Sequence, residues 1–190
     1  MQAFSSAADW RAWLEAEHAT SAGCWLKIGK KTATEPTVSY AEALDAALCF
    51  GWIDGQKRAL VEDHWLQRFT PRKPGSRWSK INTTKADALI ATGQMQPAGQ
   101  REVDAARADG RWDAAYAGQR ASTIPDDLEE ALAANPTAAA FFGSISSANR
   151  YAITYRIASV KRAETRARKI AQYVQMLAEH KTIHPEPGSD

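Results

Sequence analysis

The chain has 190 residues, of which 44% are hydrophobic, and a net charge of +2 at pH 7. This length suits one ordinary domain, or a domain with an appended segment, with a substantial buried core. The near balance of charge excludes a uniformly basic nucleic-acid binder.

The compartment is predicted from the cysteines and from the start of the chain. Two cysteines are too few for a disulfide scaffold and have no metal-ligand spacing, so we expect reduced thiols and no bound metal. The first residues, MQAFSSAADW, lack the basic and apolar segments of a signal peptide. No stretch is apolar for long enough to span a bilayer. We therefore expect a cytoplasmic protein.

The N-terminal part predicts two helices and a strand. Tryptophans at helical spacing indicate an amphipathic helix over residues 9–18, capped by Asp9. Alternation with period two predicts a strand over residues 24–30. Ser39 opens a Ser-x-x-Glu capping box, and the helix that follows it ends at Gly51.

The next stretch predicts a β-hairpin. Residues 57–62 and 65–70 are short runs of period two on either side of an Asp63-His64 tip. Together with the strand over residues 24–30 they form a small antiparallel sheet of at least three strands. Such a sheet needs helices to cover its apolar face.

The remainder of the chain predicts helices, which cover residues 80–92, 97–109, 126–134, 136–143, 147–159 and 161–180. The last helix carries a continuous apolar seam. We predict an α+β fold in three parts. An N-terminal domain over residues 1–120 contains the sheet, a helical C-terminal segment over residues 121–183 packs on it, and residues 184–190 form a disordered tail.

Positive charge is concentrated in two segments. Residues 56–80 hold seven basic and two acidic residues, a net of +5. Residues 150–169 hold seven basic residues and one acidic residue, a net of +6, so the rest of the chain carries −9. Surface charge runs are ordinarily solvated or paired with nearby acids. The alternative is that they form an anion-binding surface.

The segment RFTPRKPGSRWSKIN, residues 68–82, is the most unusual in the chain because it interleaves cations with aromatic rings and two prolines. A helix N-terminus offers free amides, and arginine can hold a carboxylate or phosphate in two-point contact. The segment therefore favours an anion site, unless its arginines pair with internal acids and its tryptophan belongs to the core. The candidate ligand-binding residues are Trp52, Asp54, Lys57, Arg68, Arg72, Arg77, Trp78 and Ser79.

The chain contains, in this order, CFGWIDG (residues 49–55), RFTPRKPGSRWSKIN, GQMQPAG (93–99) and ETRARKI (164–170). Together these stretches resemble the YdeI/OmpD-associated family, also called the bacteriocin-protection family. The resemblance implies a bacterial protein linked to tolerance of antimicrobial peptides or other stress. It implies no reaction, cofactor or catalytic residue.

Two alternative functions stay open at this stage. Arg162, Arg166 and Lys169 form a row opposite the apolar seam, which is typical of a solvated helix face but also suits nucleic acid. Cys49 could serve an enzyme, but the end of its helix raises a thiol pKa, and His64 at a hairpin tip is poorly placed as a base. A buried structural cysteine is the simpler interpretation.

Our first hypothesis is therefore a non-enzymatic cytoplasmic binding module without a cofactor or a metal. Its ligand would be an anionic small molecule or an acidic partner protein.

Overall fold

The computed structural model describes residues 1–61, 63–118 and 122–186. The chain divides into two compact units, unit 1 (Met1–Tyr116) and unit 2 (Ala117–Asp190). The predicted boundary at residue 120 and the predicted strand end at residue 62 lie outside the described residues.

Unit 1 contains the sheet and the N-terminal helices. In chain order its elements are α1 (Ala7–Glu17), β1 (Cys24–Gly29), α2 (Tyr40–Cys49), β2 (Trp52–Val61), β3 (His64–Pro71), α3 (Lys80–Ala91) and α4 (Pro97–Ala108). The strand order is β1-β3-β2, and both pairs are antiparallel. The predicted α+β fold with a small three-stranded sheet is confirmed.

Unit 2 is helical, as the sequence predicts. Its helices are α5 (Asp126–Ala133), α6 (Pro136–Ser144), α7 (Ser147–Ala158) and α8 (Ala163–Ala178). Their apolar faces meet in a core that includes Leu128, Ile153 and Leu177, each fully buried.

Local chemistry sets the ends of the helices of unit 1. Ser6, and not Asp9, caps α1, because the Ser6 hydroxyl accepts a hydrogen bond from the Asp9 N–H at 3.2 Å. The capping box predicted at Ser39 is present at the start of α2. Gly51 follows α2 with a φ of +73°, a left-handed conformation that glycine adopts without strain.

β2 begins at Trp52, five residues before its predicted start. The register shifts between Asp54 and Lys57, which is a β-bulge, and the extra residue interrupts the alternation on which the prediction depended. β2 therefore leaves α2 directly through Gly51.

The core of unit 1 lies between the sheet and the helices. β1 directs Cys24, Leu26 and Ile28 inward, and all three are buried. The largest buried side chains include Trp10 of α1 and Phe69 of β3, whose ring centroids lie 5.7 Å apart. Aromatic rings packed at this spacing contribute beyond the area that they bury.

α4 packs very closely against the end of α2. A Cβ atom at Gly99 would lie 2.3 Å from the Cys49 carbonyl oxygen and 2.6 Å from that of Leu48. The Gln96 N–H donates to the Cys49 carbonyl at 3.1 Å. The stretch GQMQPAG therefore places α4 by combining a first-turn proline with a glycine that permits the contact.

The last described residues are attached to α7. The His184 N–H donates to Asn149 Oδ1 at 2.9 Å, and Asn149 Nδ2 donates to Glu186 Oε1 at 2.7 Å. Glu186 also accepts from the Ser146 N–H at 3.1 Å. A disordered tail is predicted from residue 184 onward; His184 and Glu186 make these contacts at the N-terminus of α7, and residues 187–190 lie outside the described part of the chain.

Candidate functional site

A groove of about 640 Å³ lies beside the β2 bulge and the end of β3. Its lining brings together the cationic residues Arg68, Arg72 and Lys73 with Gly55 and Gln56 of the bulge. We call this feature the cation groove. It includes two of the eight candidate residues, Arg68 and Arg72, as lining groups.

The bulge at the edge of the groove is held from inside the sheet by Gln67. This side chain is 3% exposed, and its Nε2 donates to the Gly55 and Gln56 carbonyls at 3.0 and 3.3 Å. The carbonyls that the bulge removes from the ladder are thereby satisfied. Gln67 therefore positions the bulge, a role that the sequence analysis did not predict. The sequence feature that could have indicated a bulge is Gly55.

Arg72 is the most unusual of the groove residues because it is 6% exposed. Its Cζ lies 3.5 Å from the centroid of the Trp78 ring, a stacked cation–π contact. Its Nη1 donates to the Arg77 carbonyl at 3.3 Å, and its backbone N–H donates to the Gly51 carbonyl at 3.0 Å. The side chain is therefore held at two points, and the backbone beside it at a third.

The other two nitrogens of this guanidinium, Nε and Nη2, are buried and have no hydrogen-bond partner among the described residues. In the same part of the chain, no carboxylate lies within 4.0 Å of Arg72 or Arg68. Burial lowers the pKa of Arg72 to about 10, a value that still leaves it charged at neutral pH. Glu102 and Asp54 act on this charge only from beyond salt-bridge range, and their effect does not offset that of burial. The groove thus contains a buried cation with no carboxylate in direct contact among the described residues.

Trp78 supplies a third unpartnered donor beside Arg72. Its ring is 2% exposed, and its Nε1 has no acceptor among the residues that the structure describes. The ring also packs on Trp112, with centroids 4.9 Å apart. Trp78 is therefore part of the core of unit 1 as well as the platform for the guanidinium.

Three candidates on β2 lie outside the groove lining. Trp52 is 1% exposed, and its Nε1 donates to the His18 carbonyl at 3.1 Å, so it is a satisfied core residue. Asp54 accepts a hydrogen bond from the Tyr40 hydroxyl at 2.8 Å. Lys57 places its Nζ 4.1 Å from the centroid of the Trp65 ring.

The remaining two candidates belong to the entry of α3. Ser79 caps the helix, because its hydroxyl accepts from the Asn82 N–H at 3.2 Å. The free amides expected there are thus partly used by the protein itself. Arg77 is exposed and lies over the Tyr116 ring, with its Cζ 5.1 Å from the centroid.

Two family models match the chain. The first is described as a domain of unknown function, DUF8412, and matches residues 2–102, which is more than half of the chain. The chain belongs to this family.

The second family model is described as bacteriocin-protection, YdeI or OmpD-associated, and matches residues 121–180. This match confirms the resemblance found in the sequence, and it contains ETRARKI. The other three stretches lie within the DUF8412 match. A search of curated proteins finds no match, and neither does a search of solved structures.

The DUF8412 region also contains the groups considered for an enzyme. Cys49 is 1% exposed, and burial raises the pKa of its thiol, which opposes a role as a nucleophile. The sequence placed His64 at a hairpin tip, between the two strands. In the structure it is the first residue of β3, opposite Gly29, and it is 2% exposed. Its Nδ1 lies 2.6 Å from Asp63 Oδ1.

In the segment matched by the OmpD-associated family, the side chain of Arg166 does not lie where the sequence predicted it. The sequence placed it opposite the apolar seam of α8, yet it lines a groove together with Ile170 and Val174 of that seam. Its Nε and Nη2 donate to the two carboxylate oxygens of Asp127 at 2.5 and 2.8 Å, and its Nη1 donates to the Ile157 carbonyl at 3.0 Å. The ion pair with α5 turns the side chain toward the seam.

Across residues 1–61, 63–118 and 122–186, no group of three or more His, Cys, Asp and Glu residues could hold a metal ion. None of the helices in these ranges combines the length and the hydrophobicity that a bilayer span requires.

Proposed function

We propose that unit 1 is a non-enzymatic binding module whose cation groove holds an anionic small molecule or an acidic segment of a partner protein. The observation that carries this proposal is the guanidinium of Arg72, a groove-lining residue. Two of its buried donors have no hydrogen-bond partner among the described residues.

The energetics of burial favour this interpretation. Nearly all buried polar groups in proteins have a hydrogen-bond partner, and an unsatisfied one costs about 1–3 kcal/mol, more when it is charged. An anion in the groove would supply both the missing acceptor and the missing charge. Arg68 and Lys73, on the same lining, add positive potential that attracts such a ligand.

The cellular role belongs to the same proposal. The second family model is described by bacteriocin protection, and we extend that description to this chain as a role in tolerance of antimicrobial peptides or other stress. We place the module in the cytoplasm, where thiols stay reduced, because Cys24 and Cys49 are both free and buried.

A second candidate function, binding of single-stranded nucleic acid, is favoured by one observation. Arg58 and Arg68 both lie over the ring of Trp25, with Cζ atoms 4.6 and 5.8 Å from its centroid. Cations around an aromatic ring on a sheet are typical of surfaces that hold phosphates and stack bases.

Calorimetric titration at low ionic strength tests both candidates. Wild type, Arg72→Ala and a matched control, Arg101→Ala on the exposed side of α4, are titrated with phosphate, citrate, succinate and an oligothymidylate. We expect a small anion to bind wild type and the control, and to bind Arg72→Ala at least about tenfold more weakly. Equal affinity for Arg72→Ala, or no binding by any small anion, would contradict the proposal. Binding of the oligonucleotide alone, with an affinity that falls steeply with salt, would favour the second candidate.

A further inference from the structure

We infer that the ligand of the cation groove presents a carboxylate or phosphate group whose two oxygens bind the Nε and Nη2 atoms of Arg72 together. This inference rests on the proposed function and specifies the chemistry of its ligand.

The geometry of the guanidinium identifies the contact. The N–H of Nε and one N–H of Nη2 point in the same direction, so they form a fork that matches two oxygens of one anion. In Arg72 the fork has no partner within the described chain, while Nη1 is bound to the Arg77 carbonyl. The edge of the group that is suited to a two-point contact is therefore the one that is vacant.

Unit 2 shows the same arrangement in its completed form. Arg166 also binds a backbone carbonyl through Nη1, that of Ile157 at 3.0 Å. Its Nε and Nη2 then bind both carboxylate oxygens of Asp127. Arg72 repeats the first half of this pattern, and the second half is missing among the residues that the structure describes. The missing component has the chemistry of the Asp127 carboxylate.

The fork of Arg72 is held in place before any ligand arrives. The guanidinium stacks on Trp78, Nη1 is bound, and the backbone N–H is tied to Gly51 at the α2–β2 corner. A donor group that is already ordered loses little conformational entropy on binding. Trp78 Nε1, also without an acceptor among the described residues, offers a further donor beside the stack.

Access to the fork requires a local movement. Nε and Nη2 are both shielded from solvent, so an anion reaches them only when the groove opens. The turn that follows Arg72, residues 73–75, is exposed. Apart from Gly75 and its two chain neighbours, no described residue has an atom within 4 Å of the position that a Cβ of Gly75 would occupy. We expect association to be slower than for an open surface site, because binding waits for this opening.

The test separates two-point contact from simple attraction between charges. Phosphate, acetate and succinate are titrated into the wild-type chain, together with succinamide, the neutral amide of matched shape. Arg72→Lys keeps the charge and removes the fork. We expect the anions to bind and succinamide not to bind. We also expect affinity to fall about tenfold or more in Arg72→Lys and to stay unchanged in the control Arg101→Lys. The Nε–H resonance of Arg72 in ¹⁵N spectra should shift when the anion is added.

The outcomes are distinct. If Arg72→Lys binds as tightly as wild type while Arg72→Ala does not, the inference fails and the proposed function stands. If no anion binds wild type, both fail. Binding of carboxylates alone, or of phosphate alone, supports the inference and identifies the group. Should the Arg72→Lys chain prove unfolded by tryptophan fluorescence, the wild-type Nε–H resonance decides the result: a shift on addition of the anion supports the inference, and an unchanged resonance while the anion binds overturns it.

Discussion

The two units treat a buried or partly buried arginine in opposite ways. In unit 2, Arg166 is joined to the Asp127 carboxylate at 2.5 Å and remains partly exposed. In unit 1, Arg72 is 6% exposed, stacks on Trp78 and has no carboxylate within 4.0 Å among the described residues. The first arginine completes a structural ion pair. The second has no carboxylate in direct contact within the described residues, and we propose that a ligand supplies one.

The contrast distinguishes an arginine in a structural ion pair from an arginine that we propose binds a ligand. Net charge alone does not distinguish them. Each arginine belongs to a segment with a strong positive net charge. Paired charges at a surface contribute little to stability, whereas a buried charge that lacks a partner is costly. Stability measurements on matched substitutions can therefore show which use applies.

The largest effect is expected from Trp78→Ala, which removes the platform beneath Arg72. Truncation of a fully buried tryptophan should lower the free energy of unfolding of unit 1 by about 3–5 kcal/mol. Urea denaturation followed by tryptophan fluorescence reports this unit alone, since all seven tryptophans lie within residues 10–112. Trp78→Phe, which keeps a ring under the guanidinium, is the matched control and should cost less. A loss below about 1 kcal/mol for Trp78→Ala would contradict the burial of the stack.

The second prediction is an increase in the free energy of unfolding. Arg72→Met replaces the buried cation with an apolar side chain of similar length, which removes two unsatisfied donors. We expect the free energy of unfolding to rise by about 1–2 kcal/mol while anion binding is lost. Arg101→Met, on an exposed helix face, should change it by less than about 0.5 kcal/mol. Destabilisation by Arg72→Met would show that the chain itself satisfies this cation.

The smallest effect is expected in unit 2. Arg166→Met removes the partner of Asp127, and because both groups are partly exposed, the cost should be at most about 1 kcal/mol. The hydrogen bond from Arg166 lowers the pKa of Asp127 below its ordinary 3.8. Ionised Asp127 therefore contributes stability above that value, and the contribution is lost as the pH falls through the lower folded pKa. Far-UV circular dichroism between pH 6 and pH 2 should show a steeper loss of stability in wild type than in Arg166→Met; parallel curves would contradict this assignment.

Much of the fold could be predicted because it depends on local patterns. The capping box at Ser39, the alternation in β1 and the proline that opens α4 act within a few residues, and each lies where the sequence places it. The predicted start of β2 was wrong because a bulge breaks the alternation of the strand. His64 was assigned to the hairpin tip and not to the strand because β3 starts one residue earlier than the pattern indicates.

The site itself was predictable only in part. The composition of RFTPRKPGSRWSKIN indicated that its arginines were unusual, but not which one is buried or whether acids neutralise it. That distinction depends on contacts across the fold, such as Arg72 with Trp78 and with the Gly51 carbonyl. The role of Gln67 could not be predicted because its partners, Gly55 and Gln56, become its neighbours only when the strands of the hairpin pair.

The close packing at Gly99 links the helices of unit 1 to the arginine. A methyl group there would overlap the carbonyls of Leu48 and Cys49, which end α2 just before Gly51, and Gly51 accepts the backbone hydrogen bond of Arg72. Even the smallest side chain at position 99 would have to push α4 outward or displace this corner. In a library of all single substitutions selected for anion binding, position 99 should accept almost nothing but glycine, although it lies on another element and carries no charge.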